Sequence, residues 1–146
     1  MQPYLIFVLV FLTSTATADK GKGMMTGGVM DQDPSDPGYL AKAWKAAKSV
    51  TEHSSNNGQY VMVPIKVLKA QSQVVAGFRY IFEILYGEST CKKADIANKE
   101  INEANCKLNE NGNRALYTVD LWEKPWQNFE EFTVTKIRNV APGENL

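Results

Sequence analysis

One amphipathic segment followed by long alternating stretches of Val, Ile and aromatic residues predicts an α+β domain, with a single helix crossing one face of an antiparallel sheet. Two observations carry that prediction. Leu40, Ala43, Trp44, Ala47 and Val50 recur at spacings of three and four, while Tyr60–Ser72 is rich in Val and Ile and Phe78–Leu85 alternates like a strand. With 146 residues and no internal repeat or low-complexity tract, the chain fits one domain.

The elements follow in order. Tyr4–Leu12 is apolar but far shorter than the roughly 20 residues of a membrane-crossing helix. Ala16-Thr17-Ala18 then supplies an A-x-A cleavage pattern, so residues 1–18 read as a signal peptide and the mature chain as secreted. The competing reading is a buried N-terminal strand, because the leader has no Lys or Arg. Residues 19–36, rich in Gly and Asp, read as a flexible arm, and 37–146 as the folded domain. Asp36-Pro37 is a cap followed by a proline at the first helical position. The helix is expected to stop in Ser54–Gly58, with Asn57 or Gly58 in the left-handed conformation.

Tyr60–Ser72 is the first long strand, and Pro64 inside it requires an edge position or a bulge. Phe78–Leu85 is the second. In a secreted chain Cys91 and Cys106 form the one available pair, and closing that loop restricts the unfolded chain by about 3 kcal/mol in the chain-entropy model. Between them, residues 95–104 suggest a helical turn or two, with Ile96 and Ile101 as the sizeable apolar groups. Asn109–Asn113 is a turn cluster. Leu116–Trp122 and Phe132–Val140 complete the strands.

Composition excludes several function classes. Lys and Arg total 16, and so do Asp and Glu, which leaves no basic surplus for nucleic acid or an anionic membrane surface. One His and two Cys fall short of the four ligands of a closed Cys/His zinc site, and no cofactor motif is present. A catalytic cysteine would need a base, and the sole histidine, His53, sits at a helix end. No catalytic residues are assigned.

Two connecting loops are unusual. Gln73-Val74-Val75-Ala76-Gly77 joins two long strands without Asn, Asp or Pro, and places apolar residues at a turn. Lys124–Asn128 joins the last two strands and carries Trp126 beside Pro125. Trp is strongly enriched at binding hot spots. The structural alternative is that Val74, Val75 and Trp126 merely cover the end of the core.

Together these residues resemble the cystatins. Gln73–Gly77 is similar to their Q-x-V-x-G loop, Pro125-Trp126 to their second hairpin loop, and Gly27-Gly28 to the glycine pair of their N-terminal arm. The resemblance also covers the helix, the strand Phe78–Tyr86 and Cys91, from about Met25 to Val140. It implies a cystatin fold, one long helix packed on a curved antiparallel sheet of about five strands. It further implies a monomeric, secreted, reversible inhibitor of papain-like cysteine proteases such as cathepsins. In that mechanism Met25, Thr26, Gly27 and Gly28 occupy the non-primed side of the cleft, and Gln73, Val74, Val75, Ala76, Gly77, Pro125 and Trp126 the primed side. No metal or cofactor takes part.

The chain departs from the secreted vertebrate pattern in lacking a second disulfide and in a longer Cys91–Cys106 segment. Those departures, with Val63–Leu68, resemble cystatins of parasitic worms, which implies host lysosomal proteases as targets. Some family members also inhibit legumain through a Ser-Asn-Asp loop. Ser55-Asn56-Asn57 matches two of its three positions, against the plainer reading of a helix-ending turn. The rival function is a cystatin-fold binding or carrier module without inhibition.

Overall fold

The computed structural model describes residues 27–146. Residues 1–18, read above as a signal peptide, and the arm positions Met25 and Thr26 lie outside the described residues. Strand β1 (Val29–Gln32) precedes helix α1 (Pro37–Thr51), and β2 (Tyr60–Val75), β3 (Gly77–Lys92), β4 (Arg114–Lys124) and β5 (Phe129–Val140) follow. The strands form one five-stranded antiparallel sheet in sequence order.

β1 corrects the reading of residues 19–36 as an arm throughout. Val29–Gln32 pairs with Ala70–Gln73 of β2, and side chains reinforce the ladder: Gln32 Nε2 donates to Ser72 Oγ at 2.8 Å and Gln71 Nε2 to Asp31 Oδ1 at 2.9 Å. Four residues, two apolar then two polar, carry no strand period, and that hid it. Its partners are supplied by a distant strand, which composition alone does not reveal.

The start of α1 is as expected. Asp36 Oδ1 accepts from the Gly38 N–H at 2.8 Å, and Pro37 takes the first helical position, where its missing N–H costs nothing. Ala43, Ala46, Ala47 and Val50 are fully buried, and their small volume lets the helix approach the sheet closely. Leu40, expected on that stripe, is exposed, and Trp44 packs toward a second cluster around Val61, Val63 and Cys106.

The helix end differs from expectation. Its C-cap, Glu52, stays right-handed, and Asn57 and Gly58 do not take positive φ. Instead, side chains satisfy the terminal carbonyls: Asn56 Nδ2 donates to Val50 O at 2.6 Å and Thr51 Oγ1 to Ala47 O at 2.7 Å. Thr51 Oγ1 also accepts from the Met62 N–H at 3.0 Å, which ties the helix end to β2.

The main core lies between α1 and the sheet. Phe82, Ile84 and Tyr86 of β3 meet Tyr117 and Val119 of β4, with Met62, Val67 and Ala70 of β2 beside them. Burying each large side chain stabilises the fold by roughly 1.5–3 kcal/mol. Tyr86 also donates its hydroxyl to Ala43 O at 2.8 Å, and its burial pushes the phenol pKa well up. The opposite face is partly covered by Leu85, Leu116 and Val140 with Ile65 and Leu68. Pro64 satisfies both conditions set for it. β1 does not reach it, and the β2–β3 register shifts between Pro64 and Lys66.

β3 runs on to Lys92 and carries Cys91 into a disulfide with Cys106, the Cα atoms 5.4 Å apart. Residues 95–104 form turns rather than the suggested helical piece. Ile96 and Ile101 dock on the Val61–Val63–Cys106 cluster, so the disulfide and two isoleucines do the ordering that helix propensity would otherwise supply.

Candidate functional site

The two long hairpins end side by side. In the β2–β3 hairpin Val75 opposes Gly77 across Ala76, and Gly77 holds φ +94°, a conformation that side chains disfavour. A Cβ there would lie 2.1 Å from Glu123 O, so only glycine lets β4 approach this tip. Contact is closed by Trp122, whose Nε1 donates to Ala76 O at 2.9 Å. The first tip therefore rests on the strand that leads to the second.

The β4–β5 hairpin turns through one 3-10 turn, Pro125–Gln127. Asn128 closes it at φ 50°, its N–H donating to Pro125 O at 3.2 Å. Pro125 presets its own φ, and an Asn tolerates the left-handed conformation, so the local sequence specifies this turn. Below the tip, Trp122 and Phe129 meet edge to face at 5.2 Å, and Lys124 Nζ sits 4.3 Å above the Trp122 ring. The helix braces the same hairpin through the pairs Lys42–Glu123 and Lys45–Glu130, the latter at 3.0 Å. The hydrogen bond to Glu130 raises the Lys45 pKa above its ordinary value.

The arm joins this edge through Gly27, which holds φ +91° in open space. Gln73 Nε2 donates to Gly27 O at 2.7 Å. On the other side of Gln73 stands Arg79, and its hydrogen bonds to Asp120 hold the guanidinium pKa above its ordinary value. Gly28 is half-buried and leads into β1.

Apolar surface collects here. Of nine exposed large hydrophobic residues among the described ones, five belong to this end: Val29, Val74, Val75, Phe78 and Trp126. Trp126 is 64% exposed, which removes the alternative that these residues cover the core. Phe78, 45% exposed, was missed as a site residue because its alternation reads as ordinary strand. Its signal was its position directly after Gly77. Single exposed hydrophobes are unremarkable, but a cluster rimmed by polar groups marks an interaction surface.

Ser55, Asn56 and Asn57 stand at the other end of β2, and their geometry is unlike that of the tips. Asn56 turns inward. Its Nδ2 is held by Val50 O, its Oδ1 accepts from Tyr117 Oη at 3.0 Å, and its carbonyl accepts from Lys93 Nζ at 2.6 Å. Ser55 Oγ lies 2.8 Å from His53 Nδ1, which also accepts the Ser55 N–H at 3.2 Å, so this contact folds the turn. Among the described residues, no group of three or more His, Cys, Asp or Glu side chains could hold a metal. No helix among them is long and apolar enough to cross a membrane.

Comparison with known proteins agrees with this geometry. A cystatin-domain family model matches residues 27–139. Cystatin cpi-1 of Caenorhabditis elegans is 42% identical over 96% of this chain and 99% of its own length. Onchocystatin of Onchocerca volvulus is 33% identical over 88% of this chain and 77% of its own. Among solved structures, Al-CPI is 34% identical with a TM-score of 0.59, covering 76% of this chain and 100% of that one. Mialostatin, a gut cystatin from the hard tick Ixodes ricinus, is 25% identical with a TM-score of 0.65, covering 76% and 98%. With a family model over most of the chain, a near full-length nematode relative and the helix-on-sheet architecture in agreement, the chain belongs to the cystatin family of cysteine protease inhibitors.

Proposed function

We propose that this chain is a secreted, monomeric, reversible tight-binding inhibitor of papain-like cysteine proteases, cathepsins included, and that it works by filling the active-site cleft. The two hairpin tips, Gln73–Gly77 and Pro125-Trp126, enter the cleft on the primed side. Met25, Thr26, Gly27 and Gly28 lie along the non-primed side. One observation carries the reading: three segments distant in sequence are tied together at one end of the sheet, and that end leaves its apolar side chains uncovered.

The physics of the edge suits occlusion. Turns fixed by Gly77, Pro125 and Asn128 on a long sheet lose little conformational freedom on docking, so more of the contact energy remains as affinity. A standard interface covers about 800 Å² per partner, which a two-hairpin edge and an arm can supply. Blocking a cleft requires no nucleophile, base or metal, and no bond of the inhibitor is placed for attack.

Legumain inhibition through Ser55-Asn56-Asn57 would need Asn56 to offer its amide to a pocket. Both ends of that amide are occupied inside the protein, which supports the helix-terminating role instead.

Titration of active papain tests the proposal. We expect linear loss of activity to a one-to-one endpoint, with intact inhibitor recovered on dissociation. Full papain activity at molar excess contradicts it.

A further inference from the structure

Gln73, Arg79 and Asp120 sit on β2, β3 and β4, on the sheet face turned away from α1, and line a shallow cleft of about 310 Å³. Arg79 Nε donates to Asp120 Oδ1 at 3.0 Å and Oδ2 at 3.1 Å, and Nη2 bonds the same carboxylate. That fork fixes the plane of the guanidinium. Its Nη1 is left to donate to Gln73 Oε1 at 3.2 Å.

Guanidinium has donors and no acceptor, so the oxygen of the Gln73 amide must face it. The amide nitrogen then faces the opposite way, toward Gly27, whose carbonyl it reaches at 2.7 Å. A flipped amide would set N–H against N–H at Arg79 and oxygen against oxygen at Gly27, losing both bonds. No steric contact of a Cβ constrains Gly27, and its φ of +91° lies where glycine is free to wander.

We propose that Arg79, anchored by Asp120, is a positioning residue of the docking edge: it sets the orientation of the Gln73 amide and so holds Gly27, and the arm leading from it, against β2. The inference rests on the function proposed above. It adds that the direction of the arm is governed from the far side of the sheet, two strands from the arm itself. Arg79 and Asp120 side chains are 39% and 29% exposed, so their pair is screened and adds little to global stability. Its effect is local.

The test uses Arg79→Leu, Gln73→Leu, the double variant and Arg79→Lys, each in the full chain. Two readouts are taken: amide hydrogen exchange at Gly28–Met30 in the free protein, and the dissociation rate of the papain complex. We expect Arg79→Leu to speed both by about three- to tenfold, with the melting temperature and exchange in β4 little changed. The double variant should match Gln73→Leu, since both act on one relay. Arg79→Lys should fall between, because an ammonium lacks the fork that serves Asp120 and Gln73 together. Additive effects of the two leucine variants, or unchanged exchange at Gly28–Met30, overturn the relay. If exchange follows the relay while the parent leaves papain uninhibited, the relay stands and the docking function falls.

Discussion

The two ends of the long β2–β3 ribbon are built on opposite principles. At the helix end, Asn56 is wrapped by Val50, Tyr117 and Lys93, Thr51 bridges helix and strand, and a disulfide pins Cys91 to Cys106. There the side chains of Asn56 and Thr51 are paired within the protein, and Val61, Val63 and Cys106 are buried. At the hairpin end, backbone geometry is equally well fixed, by Gly77 against Glu123 and Trp122 on Ala76, yet Val75, Phe78 and Trp126 face solvent. Rigid backbone beneath uncovered apolar side chains is the combination that favours docking, because exclusion of water is gained with little ordering cost. The helix end stabilises the fold, and the hairpin end uses it.

Gly77→Ala breaks this contrast most severely. The new Cβ must displace the Glu123 carbonyl and holds an unfavourable φ, costing about 3 kcal/mol, read as a lower urea midpoint, together with large loss of papain inhibition. Gly27→Ala meets nothing within 4 Å, so it carries only the backbone strain of φ +91° and should lower the urea midpoint less than Gly77→Ala does. Trp126→Ala separates the ends cleanly. Papain affinity should fall by about 1–3 kcal/mol, while stability stays within about 0.5 kcal/mol of the parent.

Asn56→Ala should do the converse. Stripping partners from Val50 O and the Tyr117 hydroxyl costs about 1–2 kcal/mol in denaturant titrations and leaves papain inhibition intact. A loss of inhibition without a loss of stability would move Asn56 to the docking side.

Much of this organisation was legible in the sequence because it is local. Asp36-Pro37 marks a helix start, alternation marks β3, and the apolar turn Val74–Ala76 stands out for its lack of polar turn residues. What was hidden depends on partners far along the chain. β1 is recognisable only beside Ala70–Gln73, and the helix end is set by Asn56 and Thr51 reaching back rather than by a left-handed residue at Asn57 or Gly58. Leu40 fits the helical period but lies exposed, since small alanines carry the helix contact. Arg79 gave no signal at all, because its role appears only once β2, β3 and β4 are aligned.

The smallest expected effect concerns the interior shared by both ends. Burial raises the Tyr86 pKa above the ordinary value near 10, so the folded state holds its proton where the unfolded state releases it. Stability from this group is therefore complete below pH ~10 and declines as pH rises above that value. Tyr39 and Tyr80 are shifted the same way, chiefly by burial. Tyr86→Phe should flatten the alkaline decline without abolishing it, at a cost of about 1 kcal/mol near neutrality from the lost bond to Ala43.

Hydrogen-exchange mapping of the protein alone and in complex with papain tests most directly which end docks. New protection is expected at Gly27–Gly28, Gln73–Phe78 and Trp126–Asn128, with Ser54–Gly58 and residues 91–106 unchanged. Protection confined to Ser54–Gly58, or none at the two hairpin tips in a complex that forms, would contradict docking by the hairpin end.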